Sequence, residues 1–181
     1  SSRSSRMMRA KWVGTMKALV TRWRSIRSRL RRASKCGITT AVVGMTDASK
    51  REAIEAAIAA HSIDLFNWRV PEGFDRQYDI GAGVTDVHAA LAETGTLVCC
   101  TDAEHGRGLS LLPPLHVAIV RQVDILPDMI DYWQRMRGLP PTELPSNINF
   151  ITGPSKTADI EGELVTGVHG PEEVVVLIVT E

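Results

Sequence analysis

Runs of β-branched and apolar residues, each bounded by Gly, Pro or capping residues, constrain the fold of this chain most. The first run, Ile38–Gly44, is apolar on both faces, which is typical of a strand buried inside a parallel sheet. Capping residues follow from Thr46, and an apolar stripe from Ala53 to Ile58 predicts a helix that reaches about His61. A strand followed by a helix in this way indicates an α/β fold.

The same pattern continues along the chain. Buried strands are predicted at Thr40–Val43, Thr96–Val98, Val117–Val120, Ile148–Ile151 and Val174–Val179. A further strand is predicted at Ile63–Trp68, and helices at Asp86–Ala92, Asp128–Arg137 and Thr157–Leu164. Six to seven strands with helices between them predict a three-layer α/β/α sandwich.

Length and composition agree with one globular domain. The chain has 181 residues, of which 44% are hydrophobic and 23% charged, and both fractions are ordinary for a globular protein. No apolar run approaches the ~18 residues that span a bilayer, so no membrane-spanning segment is predicted and no membrane is expected as a partner. We expect one α/β domain over residues 38–181, preceded by a basic segment over residues 1–37.

The basic segment carries most of the positive charge of the chain. Its first 35 residues hold 12 of the 21 Lys and Arg residues and none of the 21 Asp and Glu residues. Apolar residues at three- and four-residue steps, among them Trp23 and Ile26, predict a helix over Met16–Leu30 that packs on the acidic body. The alternatives are a targeting segment, a start at Met7 or Met8, and an arm that contacts nucleic acid or an anionic membrane. The docked helix is favoured because its apolar face needs a core, so no nucleic acid is expected as a partner.

The cysteines and histidines argue against bound metal. Cys36, Cys99 and Cys100 form neither an even disulfide framework nor a CxxC pair, which favours a reducing compartment and a cytoplasmic location. An Fe–S cluster normally takes four thiolates, one more than the chain contains. The histidines are scattered without paired acids at zinc-binding spacing. No metal and no cofactor is therefore expected in this chain.

Three stretches rich in Gly, hydroxyl and ionisable residues lie where predicted strands meet loops. Because open parallel sheets bind ligands outside the carboxyl ends of their strands, these stretches predict an anion site. The candidate ligand-binding residues are Thr85, Thr94, Gly95, Thr96, Gly153, Ser155, Lys156, Thr157 and Asp159. Glu93 and His169 are the candidates for proton transfer or nucleophilic attack. We expect these residues to converge on one rim, with capping roles as the alternative.

These stretches together resemble the LUD-domain family, the proteins similar to lactate utilization protein C. The matching motifs, in chain order, are Gly83–Thr85, Ala92–Thr96, Ser110–His116, Gly153–Glu161 and Gly167–Pro171. The chain departs from the family pattern at Asp86, where a Gly is frequent, and at the acidic residues Glu161 and Glu163.

The resemblance implies a fold like that of NagB, RpiA and CoA transferases. It also implies a non-redox subunit or accessory protein in the oxidation of L-lactate to pyruvate, with Fe–S-containing lactate oxidation proteins as partners and a small anionic ligand. In related enzymes of that fold a glutamate attacks a CoA thioester, and Glu93 resembles that glutamate. An independent enzyme acting on a sugar phosphate or a CoA ester, with Lys156 as the anion contact, is the alternative.

Overall fold

A computed structural model of the chain describes residues 16–22, 38–70, 77–160 and 163–180. The strands are β1 (Met16–Arg22), β2 (Thr40–Gly44), β3 (Asp64–Leu65), β4 (Ala82–Asp86), β5 (Ala89–Leu91), β6 (Thr96–Thr101), β7 (Leu115–Arg121), β8 (Ile125–Leu126), β9 (Asn147–Ile151), β10 (Lys156–Ile160), β11 (Glu163–Thr166) and β12 (Glu173–Thr180). The α-helices are α1 (Ala48–Ala59), α2 (Gly108–Leu111) and α3 (Met129–Arg137). Short 3-10 helices lie at Gln77–Asp79, Gln122–Asp124 and Pro141–Glu143.

The central sheet has six strands in the spatial order β1, β12, β7, β4, β2, β3, and every neighbouring pair is parallel. All six strands therefore end at the same edge. One face packs against α1 through Ile54 and Ile58. The other face packs against a four-stranded sheet in the order β8, β5, β6, β9, in which Leu97 and Ile151 lie against Val176 and Ile178. The α/β class predicted from the sequence is confirmed.

Helix α3 covers the outer face of the four-stranded sheet. Its buried residues Tyr132 and Met136 pack on Leu91 and Val98. Asp128 caps the helix, because its carboxylate accepts hydrogen bonds from the backbone N–H groups of the second and third helical residues. The helix prediction for Asp128–Arg137 is thus confirmed. The last turn of α3 lies near the carboxyl ends of the central strands.

The predicted helix over Met16–Leu30 is wrong where the structure describes it. Met16–Arg22 is a strand that pairs in parallel with β12, from Met16 beside Val174 to Arg22 beside Thr180. Pairing with β12 satisfies backbone groups that a docked helix would leave open at the edge of the sheet. Trp23 and the rest of the predicted helix lie outside the described residues.

Two further predicted helices are strands. Asp86–Ala92 contains the end of β4 and then β5, which pairs with β6 on one side and β8 on the other. Thr157–Leu164 falls in an antiparallel pair, with Thr157 opposite Val165. The predicted strand at Ile63–Trp68 is shorter, covering Asp64–Leu65 only. For both of these predicted helices, pairing with a neighbouring strand supplies the backbone hydrogen bonds, across short turns for β10–β11 and β5–β6 and over a longer separation for β5–β8. Helical periodicity within one segment does not reveal this pairing.

Candidate functional site

A cavity of about 750 Å³ opens at the carboxyl ends of the central strands. Its lining includes Met45 and Thr46 just after β2, Asp86 at the end of β4, Arg121 at the end of β7 and Thr180 at the end of β12. In the central sheet, the connection from β2 leads through α1 to β3, on the side of β2 away from β4. The next central strand after β4 is β7, which lies on the opposite side. The strand order therefore changes direction between β2 and β4, and open α/β sheets bind ligands at such a point.

A bridged histidine closes one side of the cavity. Asp86 accepts a hydrogen bond from the backbone N–H of Thr46 at 3.2 Å and contacts Nε2 of His105 through its other carboxylate oxygen. Nδ1 of His105 lies 2.8 Å from a carboxylate oxygen of Asp102. Burial alone would lower the pKa of His105, but the hydrogen bonds and charges of Asp86 and Asp102 outweigh burial and raise it. Each ring nitrogen of His105 faces a carboxylate oxygen, and both nitrogens can donate a hydrogen bond only when the imidazole is protonated. The two aspartates therefore stabilise the protonated form of His105.

Ion pairs and close packing hold the loop that carries His105. Glu104 accepts hydrogen bonds from Arg51 of α1 and from Arg69, each at 2.6 Å. A Cβ atom on Gly106 would lie 2.9 Å from the ring of Trp68, so a larger residue at this position would displace that ring. The loop is thereby fixed against α1 and the segment after β3.

The cavity is lined by three cationic and three acidic side chains, which are Lys50, Arg121, Arg135, Asp47, Asp86 and Asp102. Nζ of Lys50 lies 3.3 Å from a carboxylate oxygen of Asp47. Nε of Arg121 lies 2.5 Å from one oxygen of Asp124, and Nη1 of Arg135 lies 3.5 Å from the other. The side chain of Asp124 is 5% exposed, while those of Arg121 and Arg135 are 58% and 41% exposed. A buried carboxylate therefore orients two solvent-accessible guanidinium groups at the mouth of the cavity.

Cys100 and His88 also line the cavity. Sγ of Cys100 lies 3.2 Å from Nδ1 of His88, and the hydroxyl of Tyr132 lies 3.3 Å from the same nitrogen. Burial raises the pKa of Cys100 and lowers the pKa of His88, so both groups favour their neutral forms. Burial also raises the pKa of Tyr132 well above its usual range.

The structure joins some of the predicted site residues in two local groups. In the first, the hydroxyl of Thr96 lies 2.6 Å from that of Thr94 and 2.9 Å from that of Thr152. Gly95 forms the turn between the two threonines with a φ of 72°. Glu93 is exposed beside them, and its backbone N–H donates to the carbonyl of Pro127.

The second group surrounds Ser155. Its hydroxyl accepts from the backbone N–H of His169 at 3.2 Å, and its carbonyl accepts from Gly167. Lys156 and Thr157 pair with Thr166 and Val165 in the β10–β11 hairpin. Gly153 has a φ of 148°, and the backbone of Asp159 lies in β10.

None of the predicted site residues lines the large cavity. Thr85 is buried in β4, where its hydroxyl bonds to His116. Convergence of the two groups on one rim, and the chemical roles of Glu93 and His169, stay predictions. The lining residues Asp86, His105 and Arg135 were missed by the sequence reasoning, although Asp102, His105 and two glycines do stand out in one turn.

Two findings concern metals and membranes. Within residues 16–22, 38–70, 77–160 and 163–180, no group of three or more His, Cys, Asp or Glu side chains is placed to hold a metal ion. In the same described ranges, no helix is long and apolar enough to cross a membrane.

A buried histidine predicts acid sensitivity. His116 is fully buried, and burial lowers its pKa to about 4, against about 6.5 in an unfolded chain. Between these values the unfolded state takes up a proton that the folded state does not, so stability falls as pH falls. We expect a loss of about 3 kcal/mol by about pH 4.

Urea unfolding followed between about pH 7 and about pH 4 measures this loss. His116→Gln should flatten the pH dependence, and His169→Gln, which removes an exposed imidazole, is the matched control. Equal slopes for the wild type and His116→Gln would contradict the assignment.

The fold is an open α/β sheet with a cavity at the point where its strand connections diverge, and both cationic and acidic side chains line this cavity. Residues 59–179 match the LUD domain, and the chain belongs to this family. The resemblance stated from the motifs is therefore confirmed.

One similar protein is lactate utilization protein C of Anoxybacillus flavithermus, which is 37% identical over 123 residues, covering 65% of this chain and 54% of that protein. The protein of the same name from Bacillus subtilis is 38% identical over 112 residues, covering 61% and 47%. The chain thus spans about half the length of these relatives. A crystal structure of a DUF162 family protein from Deinococcus radiodurans has the same fold, with a TM-score of 0.68, 17% identity and coverage of 98% and 97%.

Proposed function

We propose that this chain takes part in lactate utilization as a non-redox subunit or accessory protein that binds a small carboxylate in the large cavity. The observation that carries the proposal is the set of cations, Lys50, Arg121 and Arg135, at the carboxyl edge of the parallel sheet. Family membership and the names of the relatives supply the process.

The site has the chemistry that a carboxylate needs. Guanidinium groups form short, charge-assisted hydrogen bonds with carboxylates, often in pairs. Asp124 orients both guanidiniums from behind, so less side-chain entropy is lost when a ligand binds. Ile119 and Val179 add apolar walls that would contact the carbon skeleton of the ligand.

Electron transfer is assigned to partner proteins in this proposal. The chain has three cysteines, one fewer than a cluster normally uses. Burial raises the pKa of Cys99 to about 12, which disfavours the thiolate that a metal requires. Fe–S-containing lactate oxidation proteins in the cytoplasm are therefore the proposed partners.

Calorimetric titration of the purified chain with L-lactate, pyruvate, inorganic phosphate, a sugar phosphate and coenzyme A tests the ligand. L-Lactate or pyruvate should bind, and Arg135→Gln should weaken that binding at least about tenfold, the loss expected for a hydrogen bond to a charged group. Arg137→Gln is the matched control, because Arg137 lies in the same last turn of α3 and does not line the cavity.

Preference for the sugar phosphate or coenzyme A would favour the independent enzyme instead. Equal effects of the two arginine variants would contradict the proposed site. In cells, the Arg137→Gln gene should restore growth on L-lactate to a deletion strain and the Arg135→Gln gene should not. Normal growth of the deletion strain would contradict the role in lactate utilization.

A further inference from the structure

A thiol and an imidazole meet in the cavity that the cations line. Both Cys100 and His88 are lining residues, with Sγ and Nδ1 separated by 3.2 Å. Fully buried Tyr132 stands behind them, its hydroxyl 3.3 Å from Nδ1 and 3.9 Å from Sγ. A thiol beside an imidazole that can take its proton is the arrangement that activates cysteine for attack on carbonyl carbon.

The two adjacent cysteines of β6 lie in different surroundings. Cys99 precedes Cys100 in β6, so the two side chains point to opposite faces of the strand. Cys99 is buried between the two sheets with Leu97 and Val176. Cys100 points to the α3 side, where it is half-buried against the cluster that contains Tyr132 and also lines the cavity beside His88.

The resting state of the pair fixes how the proton must move. Both groups are neutral, because burial raises the pKa of the thiol and lowers that of the imidazole. Nδ1 of His88 can then accept a hydrogen bond, with the ring proton on Nε2. The thiol therefore has to lose its proton to His88 as it attacks, rather than before.

We propose that Cys100 is a nucleophile that adds reversibly to the carbonyl carbon of a small α-keto acid, with His88 carrying the proton. Sγ forms a bond to carbon while the thiol proton passes to Nδ1. The C=O π bond breaks, and the carbonyl oxygen takes the proton back from His88. The product is a hemithioketal, with no oxidant, reductant or leaving group involved.

The ligand class follows from the two halves of the cavity. Lys50, Arg121 and Arg135 supply positive charge for a carboxylate, and the thiol needs an electrophilic carbon close to it. An α-keto acid has both groups on adjacent carbons, whereas a hydroxy acid such as lactate lacks the electrophile. The inference rests on the proposed function, because the same cations hold the carboxylate.

Bromopyruvate and iodoacetamide form a matched pair of probes, one an anionic α-keto compound and one neutral. Each alkylates a thiol by forming an S–C bond and expelling halide, with the thiol proton passing to the base. Digestion and mass spectrometry then locate the label. Bromopyruvate should modify Cys100 first, Cys99→Ala should not change that, and pyruvate should protect.

Variants separate the two halves of the proposal. His88→Gln should slow alkylation of Cys100 by both probes about 100-fold, the usual contribution of a positioned base. Arg135→Gln should lower the ratio of the bromopyruvate rate to the iodoacetamide rate about tenfold. The ratio is the measure because the charge of Arg135 also acts on His88 and so affects both rates. Arg137→Gln should affect neither, and circular dichroism spectra check that each variant is folded.

The possible failures are distinguishable. If Cys100 of the His88→Gln variant is alkylated at the wild-type rate, or if Cys36 or Cys99 reacts first, the proposed role of Cys100 as the nucleophile is contradicted. The proposed carboxylate binding is not affected by that result. If Arg135→Gln leaves the ratio of the two alkylation rates unchanged, the anion site fails and the proposed function fails with it. Carbonyl-labelled pyruvate observed by ¹³C NMR should give, with the wild type, a tetrahedral carbon signal distinct from that of free hydrated pyruvate, and Cys100→Ser should give no such additional signal. Its absence from the wild type would overturn the reversible adduct.

Discussion

Tyr132→Ala should lower the free energy of unfolding by about 3–5 kcal/mol, as other fully buried aromatic side chains do when truncated. The Tyr132 ring packs edge-on against His88, Trp133 and Phe150, with centroid distances of 5.8, 5.3 and 5.9 Å. It also joins α3 to the four-stranded sheet through Leu91 and Val98. Truncation leaves a cavity between these layers because the strands cannot close it.

Chemical denaturation monitored by circular dichroism measures this loss. Tyr132→Phe keeps the ring and removes the hydroxyl, so it should retain most of the stability. Trp133→Ala removes the adjacent ring, which is 45% exposed, and should cost less than Tyr132→Ala. A loss below about 1 kcal/mol for Tyr132→Ala would show that α3 does not pack as described.

Gly83→Ala should destabilise the protein by about 3 kcal/mol, the upper end of the usual cost of overpacking. A Cβ atom on this residue of β4 would lie 1.9 Å from the carbonyl oxygen of Leu109, which belongs to the backbone of α2. Neither the central strand nor the helix can move without disturbing the packing of Leu109 on Val42 and Ile80.

Thermal unfolding gives the comparison. A loss of this size corresponds to a fall in Tm of roughly 6–12 °C for a chain of this length. Gly138→Ala is the control, because its Cβ would meet its nearest atom at an ordinary 3.7 Å. Equal melting temperatures for the two variants would contradict the close approach of α2 to β4.

The local sequence pattern was sufficient to predict the buried strands and the capped helices. The apolar runs that predict β2, β7 and β12 have both faces covered, so burial and β-propensity agree. Helix α3 has both a capping Asp128 and an amphipathic face. The motifs were sufficient for the family, because they keep their order along the chain.

Partners distant in sequence decided the rest. Met16–Arg22 is a strand because β12 supplies its hydrogen bonds, and Ala89–Leu91 pairs with β8 as well as with the adjacent β6, which helical periodicity cannot reveal. The cavity collects Lys50, Cys100 and Arg135 from three separate elements at one sheet edge. The sequence by itself determined which segments can be buried and to which family they belong. Only the tertiary structure decided which side chains meet, because parallel strands bring together ends that long connections separate in the chain.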